Sequence, residues 1–203
     1  MTRGTHYRSG DFELTTDELR VVARFVTQHA EDVLAVYEEA VPDDPRPRDA
    51  IDAAWVFVNG ANRSRLQRVA SMEAHRAAAA APSEPARLAA RSAGDAASAA
   101  YLHPIAQADQ VGHILRAAAC VALIGELAAG DDPAASQALL DRSLRRATPV
   151  LIQVLDRYPP APTGTGRLPR LMSRLDRLLR ESADPAPPHG ANGSAEPVAG
   201  DRP

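Results

Sequence analysis

The sequence predicts an all-α protein: a single Ala-rich bundle of about six or seven helices followed by a disordered C-terminal tail. Three observations predict it. Aliphatic side chains recur at three- and four-residue steps through most of the chain, helix-start and helix-stop residues punctuate those runs, and no run alternates with period two over a useful length. No segment recurs at a fixed period, which argues against a solenoid.

Residues 1–11 are polar and aperiodic and read as a disordered N-terminus, with the bundle over 12–182 and the disordered tail over 183–203. A first helix starts at Thr15, an N-cap whose capping-box partner is Glu18, with Leu14 and Leu19 as a hydrophobic staple. Leu19, Val22, Val26, Ala30, Val33 and Tyr37 then mark one face until Pro42 stops it. Asp44 is placed to cap a second helix that has Pro45 and Pro47 in its first turn and ends at Gly60. In it Ile51, Ala54, Trp55 and Val58 form the expected core stripe, and Phe57 points elsewhere as an interface anchor.

Asn62 is the expected cap of a third helix, which runs through the alanines 77–81 to Pro82. Ser83-Glu84-Pro85 opens a fourth, to about Leu102, and Pro104 kinks it or separates it from a fifth that ends at Gly130. Asp132-Pro133 opens a sixth, with a kink or restart at Thr148-Pro149. The last helix pairs a leucine stripe with Arg167, Arg170, Arg174, Arg177 and Arg180, arginines suited to a core boundary, a phosphate or an anionic partner.

Composition narrows the function. The chain has 203 residues, 45% of them hydrophobic, but one Trp, four Tyr and three Phe, so Ala, Leu and Val must fill the core. A net charge of -3 supplies no global field toward nucleic acid or anionic lipid. Every basic side chain is Arg, which excludes a phosphate-loop lysine, a Schiff-base lysine and a pyridoxal-phosphate site, so no cofactor is expected. Cys120 is the sole cysteine, which rules out an internal disulfide or a multi-Cys zinc site and fits a reducing compartment. The first sixteen residues lack the apolar run of a signal peptide, and no 18-residue apolar stretch is expected to span a bilayer, so a cytoplasmic location without membrane contact is predicted.

The candidates for chemistry are His75, His103 and His113, since imidazole transfers protons or binds metals near neutral pH. If helices three, four and five are neighbours, these rings could meet Asp95 and Tyr101, and Asp109 shares a helix face with His113. The bland reading is three hydrogen-bonded core or surface histidines. No H-E-x-x-H or other metal-ligand spacing occurs, so no metal site is predicted. Gly94 and Gly112, inside helices, mark close helix crossings or access for a ligand. Asp44, Arg46 and Arg48 are the candidates for binding a partner, although a helix start with an Arg–carboxylate pair also explains them.

Ala30-Glu31-Asp32-Val33-Leu34, followed by Pro42-Asp43-Asp44-Pro45-Arg46-Pro47-Arg48-Asp49-Ala50-Ile51, resembles the opening of a family of helical immunity proteins associated with bacterial polymorphic toxins. The similarity continues through Ala74-His75-Arg76-Ala77-Ala78, Ala93-Gly94-Asp95-Ala96-Ala97 and Val111-Gly112-His113, and covers roughly residues 15–158, with D-D-P-R-P-R its distinctive part. The resemblance implies an all-α bundle that binds a cognate toxin. Similar chains are sometimes labelled as the ATPase subunit of a DNA-repair exonuclease, a reading opposed by the missing lysine, long coiled coil and acidic metal cluster. Three readings therefore stand: a noncatalytic immunity-type binder, a small helical-bundle enzyme of specialised metabolism using the histidines, and a structural or homo-oligomeric scaffold.

Overall fold

The Thr15 hydroxyl accepts the Glu18 N–H at 3.2 Å while the Glu18 carboxylate accepts the Thr15 N–H at 2.8 Å, closing the predicted capping box. In the computed structural model, which describes residues 12–183, this box opens the first of eight α-helices. They are α1 (Thr16–Ala40), α2 (Arg46–Val58), α3 (Arg65–Ala80), α4 (Glu84–Ser98), α5 (Val111–Ala128), α6 (Pro133–Arg146), α7 (Pro149–Leu155) and α8 (Arg167–Ala183). Three-residue 3-10 turns at Ala99–Tyr101 and Ala108–Gln110 follow α4 and precede α5, and no β-strand occurs among the described residues. Residues 1–11 and 184–203, where the sequence predicts disorder, lie outside the described residues; Ala183, assigned above to the tail, is the last residue of α8.

The count exceeds six or seven because Thr148-Pro149 is a full restart. Ala147 and Thr148 are extended, Pro149 takes the first turn of α7, and the Thr148 hydroxyl accepts the Leu151 N–H at 3.2 Å. The cap of α3 is Ser64 and not Asn62: Gln67 reaches back to the Ser64 N–H at 2.8 Å, and its amide also donates to the Ala53 carbonyl of α2 at 3.0 Å. In α2 the expected stripe is buried at Ile51, Ala54 and Val58, and the two aromatic rings depart from expectation. Phe57 is buried in the core, whereas Trp55 is half-buried and donates its indole N–H to Glu31 at 2.6 Å.

Helices α1, α4 and α5 pack on one another at the centre, with α2 and α3 against α4, and α6 and α8 against α5. Alanines make this close approach feasible: residues 86, 89, 90, 93, 96 and 97 of α4 and 117, 118, 119 and 122 of α5 are all buried alanines. The sequence expectation that no stretch is long and apolar enough to cross a membrane needs correction, because Ala108–Ala128 meets that test by length and composition. The reason lies in the packing. Most of this stretch is buried among the other helices, and a helix covered nearly all round is apolar nearly all round.

Candidate functional site

Three of the five residues predicted for chemistry meet where α3, α4 and α5 run side by side. Asp95 of α4 is 2% exposed; its Oδ1 lies 3.9 Å from His75 Nε2 of α3, and its Oδ2 lies 3.1 Å from Arg116 Nε of α5. His113 of α5 lines the same open cleft of about 340 Å³, together with Arg87 and Arg91 of α4. Arg116 was not singled out from the sequence. The available signal was its position one turn after Gly112 and His113.

Both mid-helix glycines serve this cluster. A Cβ on Gly94 would fall 2.7 Å from the His75 ring, and one on Gly112 would fall 3.1 Å from Arg116 Nη2. Each glycine costs about 1 kcal/mol relative to alanine in a helix, and each leaves room for a side chain that faces Asp95. The Ser71 hydroxyl ties α3 to α4 beside them by donating to the Gly94 carbonyl at 2.8 Å. Exchanging Gly94 for alanine should therefore push the imidazole out of its seat with little loss of fold. The expected result in a histidine NMR titration is a His75 pKa that moves back up toward 6.5; an unchanged titration would sink this account of Gly94.

Burial dominates the electrostatics. It pushes the Asp95 carboxyl up against the opposing pull of Arg116, Arg91 and His113. The His75 and His113 imidazoles are both held below their ordinary value, first by burial and then by the Arg116 guanidinium. Asp95 Oδ2, Arg116 Nε and His113 Nδ1 are buried without an aligned hydrogen-bond partner. The cluster thus combines a sequestered carboxyl, two neutral imidazoles and three guanidiniums, groups able to hold an anion or to exchange a proton with a ligand. Among the described residues, no three His, Cys, Asp or Glu side chains come together in a way that could hold a metal ion.

The other candidates lie elsewhere. His103 is an exposed ring in the segment before α5, anchored through its backbone: its carbonyl accepts the Tyr158 hydroxyl at 2.9 Å and its N–H donates to Gln110 Oε1 at 3.3 Å. Tyr101 donates to the Ser64 carbonyl at 2.6 Å beneath the guanidiniums of Arg63 and Arg68, so it fastens the start of α3. Cys120 is buried and its thiol is pushed up to about 12 by burial, which leaves no nucleophile at neutral pH.

Asp44, Arg46 and Arg48 join the end of α1 to the start of α2. Asp44 accepts the Tyr37 hydroxyl at 2.6 Å, the Arg46 N–H at 3.1 Å and the Arg46 side chain at 2.8 and 2.5 Å, and these bonds hold its carboxyl well below the usual range. Arg48 clasps Glu38 through two bonds of 2.6 and 2.8 Å. Among the arginines of α8, Arg167 pairs with Glu126 and Asp131, and Arg180 pairs with Asp176 and Asp156, while Arg170 and Arg174 face solvent.

Residues 13–121 match the family model described as "Imm-5 like putative immunity protein". Neither the curated proteins nor the solved structures gave a match. The matched region contains the D-D-P-R-P-R string, His75, Asp95, His113 and Arg116, and it stops short of the 158 suggested by resemblance. With more than half of its length in that match, the chain belongs to the Imm-5 like immunity protein family.

Proposed function

We propose that this protein is a cytoplasmic, noncatalytic immunity protein that neutralises a toxin by covering it with the outer face of α3. Family membership supports the immunity role, and one observation supports the surface. Leu66, Val69 and Met72, at i, i+3 and i+6 on α3, are 51%, 43% and 50% exposed, while the opposite face of the same helix buries Ala70, Ala74, Ala77 and Ala78. Large apolar side chains aligned on one exposed face mark an interaction surface. Arg65, Arg68 and Arg76 surround the stripe as a polar rim, the usual anatomy of a protein interface. A methionine adapts its shape to a partner at small cost. The α1–α2 corner is the weaker candidate, because Asp44 and Glu38 already occupy Arg46 and Arg48.

The experiment is co-expression with each candidate toxin found among the neighbouring genes, read as growth. The unaltered chain should protect, and Leu66→Asp/Met72→Asp should lose protection while keeping its circular-dichroism spectrum and melting temperature. Hot-spot substitutions of this kind cost about 2 kcal/mol or more each, roughly a thousandfold in affinity for the pair. Full protection by the folded double variant would rule out the α3 face. A second reading, a small helical-bundle enzyme, is favoured by the convergence of His75 and His113 on Asp95.

A further inference from the structure

A second cavity adjoins the histidine cleft. It has a volume of about 550 Å³, lies between α4, α5 and the start of α8, and shares Arg87, Arg91 and Arg116 with the cleft. That volume is in the range of small-molecule sites. Its far wall is apolar, built from Leu88, Leu123, Leu168 and Met172, so three guanidiniums stand between a polar compartment and an apolar one.

The guanidiniums differ in how far they are committed. Arg87 is held by Glu84 at 3.1 Å, whereas Arg91 forms no ion pair among the described residues. Among the described residues Arg116 forms an ion pair with one carboxylate, that of the buried Asp95, which burial drives toward its neutral form, and its Nε finds no aligned acceptor there. Gly112 is the residue whose missing Cβ lets the Arg116 head lie where it does. Half-buried arginines lining a concave site suit an oxyanion, which a guanidinium meets with paired parallel bonds. A cation would be repelled, and a wholly apolar guest would leave both heads unpaired. Asp109 at the same cavity disfavours a second negative group on the apolar side.

We infer that this double cavity binds a small organic oxyanion, a carboxylate or a phosphate monoester, with its charged head between Arg91 and Arg116 and its apolar body against Leu88, Leu123 and Met172. The charged head would sit on α4 and α5, and Leu66, Val69 and Met72 of α3 line neither cavity, so different residues test this inference and the reading as a toxin-binding protein. The head-binding half lies inside the family-matched region, and the apolar half is completed by α8 outside it.

The test is calorimetric titration of the full chain with phenyl phosphate, phenylacetate and inorganic phosphate, with the ring signals of His75 and His113 followed by NMR. One aromatic oxyanion should bind and shift the His113 signal, and the tighter of the two identifies the head group. Inorganic phosphate should bind at least tenfold more weakly than the better aromatic ligand. Arg91→Gln, at a half-buried rim position, should weaken that ligand at least tenfold; Met172→Gln should weaken it severalfold and leave inorganic phosphate unchanged. Melting curves of both variants check that the fold survives. The inference is overturned if neither aromatic ligand binds at millimolar concentration, if inorganic phosphate binds equally well, or if folded Arg91→Gln binds as the unaltered chain does.

Discussion

Exchanging Arg116 for alanine is expected to cost about 3 kcal/mol of stability at pH 8, because it leaves the buried Asp95 without its nearest cation. His75, 3.9 Å away and held below its ordinary pKa, cannot replace a permanent charge. The pH dependence identifies the cause. Burial already raises the folded-state pKa of Asp95 above its ordinary 3.8, with Arg116 the largest opposing influence. For an acid raised in the folded state, stability is complete below the unfolded pKa and is lost as pH climbs through the folded one. Removing Arg116 lifts the folded value further, so the variant's deficit should grow from pH 4 to pH 8. Urea unfolding at several pH values measures it, and adding Asp95→Asn should restore much of the loss and flatten the profile. A deficit under about 1 kcal/mol that does not vary with pH would show that Asp95 is satisfied by other groups.

This dependence also explains what the sequence could and could not disclose. The box of Thr15 and Glu18, the stop at Pro42 and the start at Asp132-Pro133 were readable because each involves residues within four positions of one another. Ser64 and Asn62 competed as caps of α3, and the choice fell to Gln67, whose side chain bridges its own cap and the Ala53 carbonyl of a different helix. Trp55 and Phe57 are two positions apart, so periodicity separated their faces correctly. The covered surface extends beyond the predicted Ile51, Ala54 and Val58 to Phe57 because α1 and α4 both pack on α2, and the indole N–H requires a partner that Glu31 supplies at the rim.

The site shows the same division. His75, Asp95 and His113 could be named as candidates by residue type, but each lies on a different helix, so their convergence depends on α3, α4 and α5 being adjacent. His103 and Tyr101 had the same credentials and face elsewhere, since the chain leaves helical geometry at Leu102 before Pro104 and turns the imidazole outward. The two glycines carried more information than the histidines. A glycine kept inside a helix against a cost of about 1 kcal/mol signals that something occupies the space of its Cβ, and here those occupants are His75 and Arg116.

A second large effect belongs to a histidine that sequence reasoning passed over. His29, in the middle of α1, is 1% exposed, and its Nδ1–H donates to the Phe25 carbonyl at 2.7 Å. With that proton on Nδ1, Nε2 is left to accept from the Ser143 hydroxyl at 2.9 Å. Protonating Nε2 is geometrically simple, since the hydroxyl can turn to the Leu139 carbonyl at 3.0 Å. The resistance comes from burial, then from Arg146 and Arg142 outweighing Asp32, and together these lower the pKa from 6.5 to about 4. A base lowered in the folded state gives stability that is complete above the unfolded value and lost as pH falls, here between 6.5 and about 4. The full loss is about 3 kcal/mol. Glu18, lowered to about 2 by Arg157, adds a separate loss at still lower pH, below its ordinary 4.5. Urea midpoints at pH 7 and pH 4.5 should therefore differ strongly in the unaltered chain and much less in His29→Gln, where the residual slope belongs to His75 and His113. Equal slopes in the two proteins would mean that the α1–α6 contact opens to let the ring take its proton without unfolding.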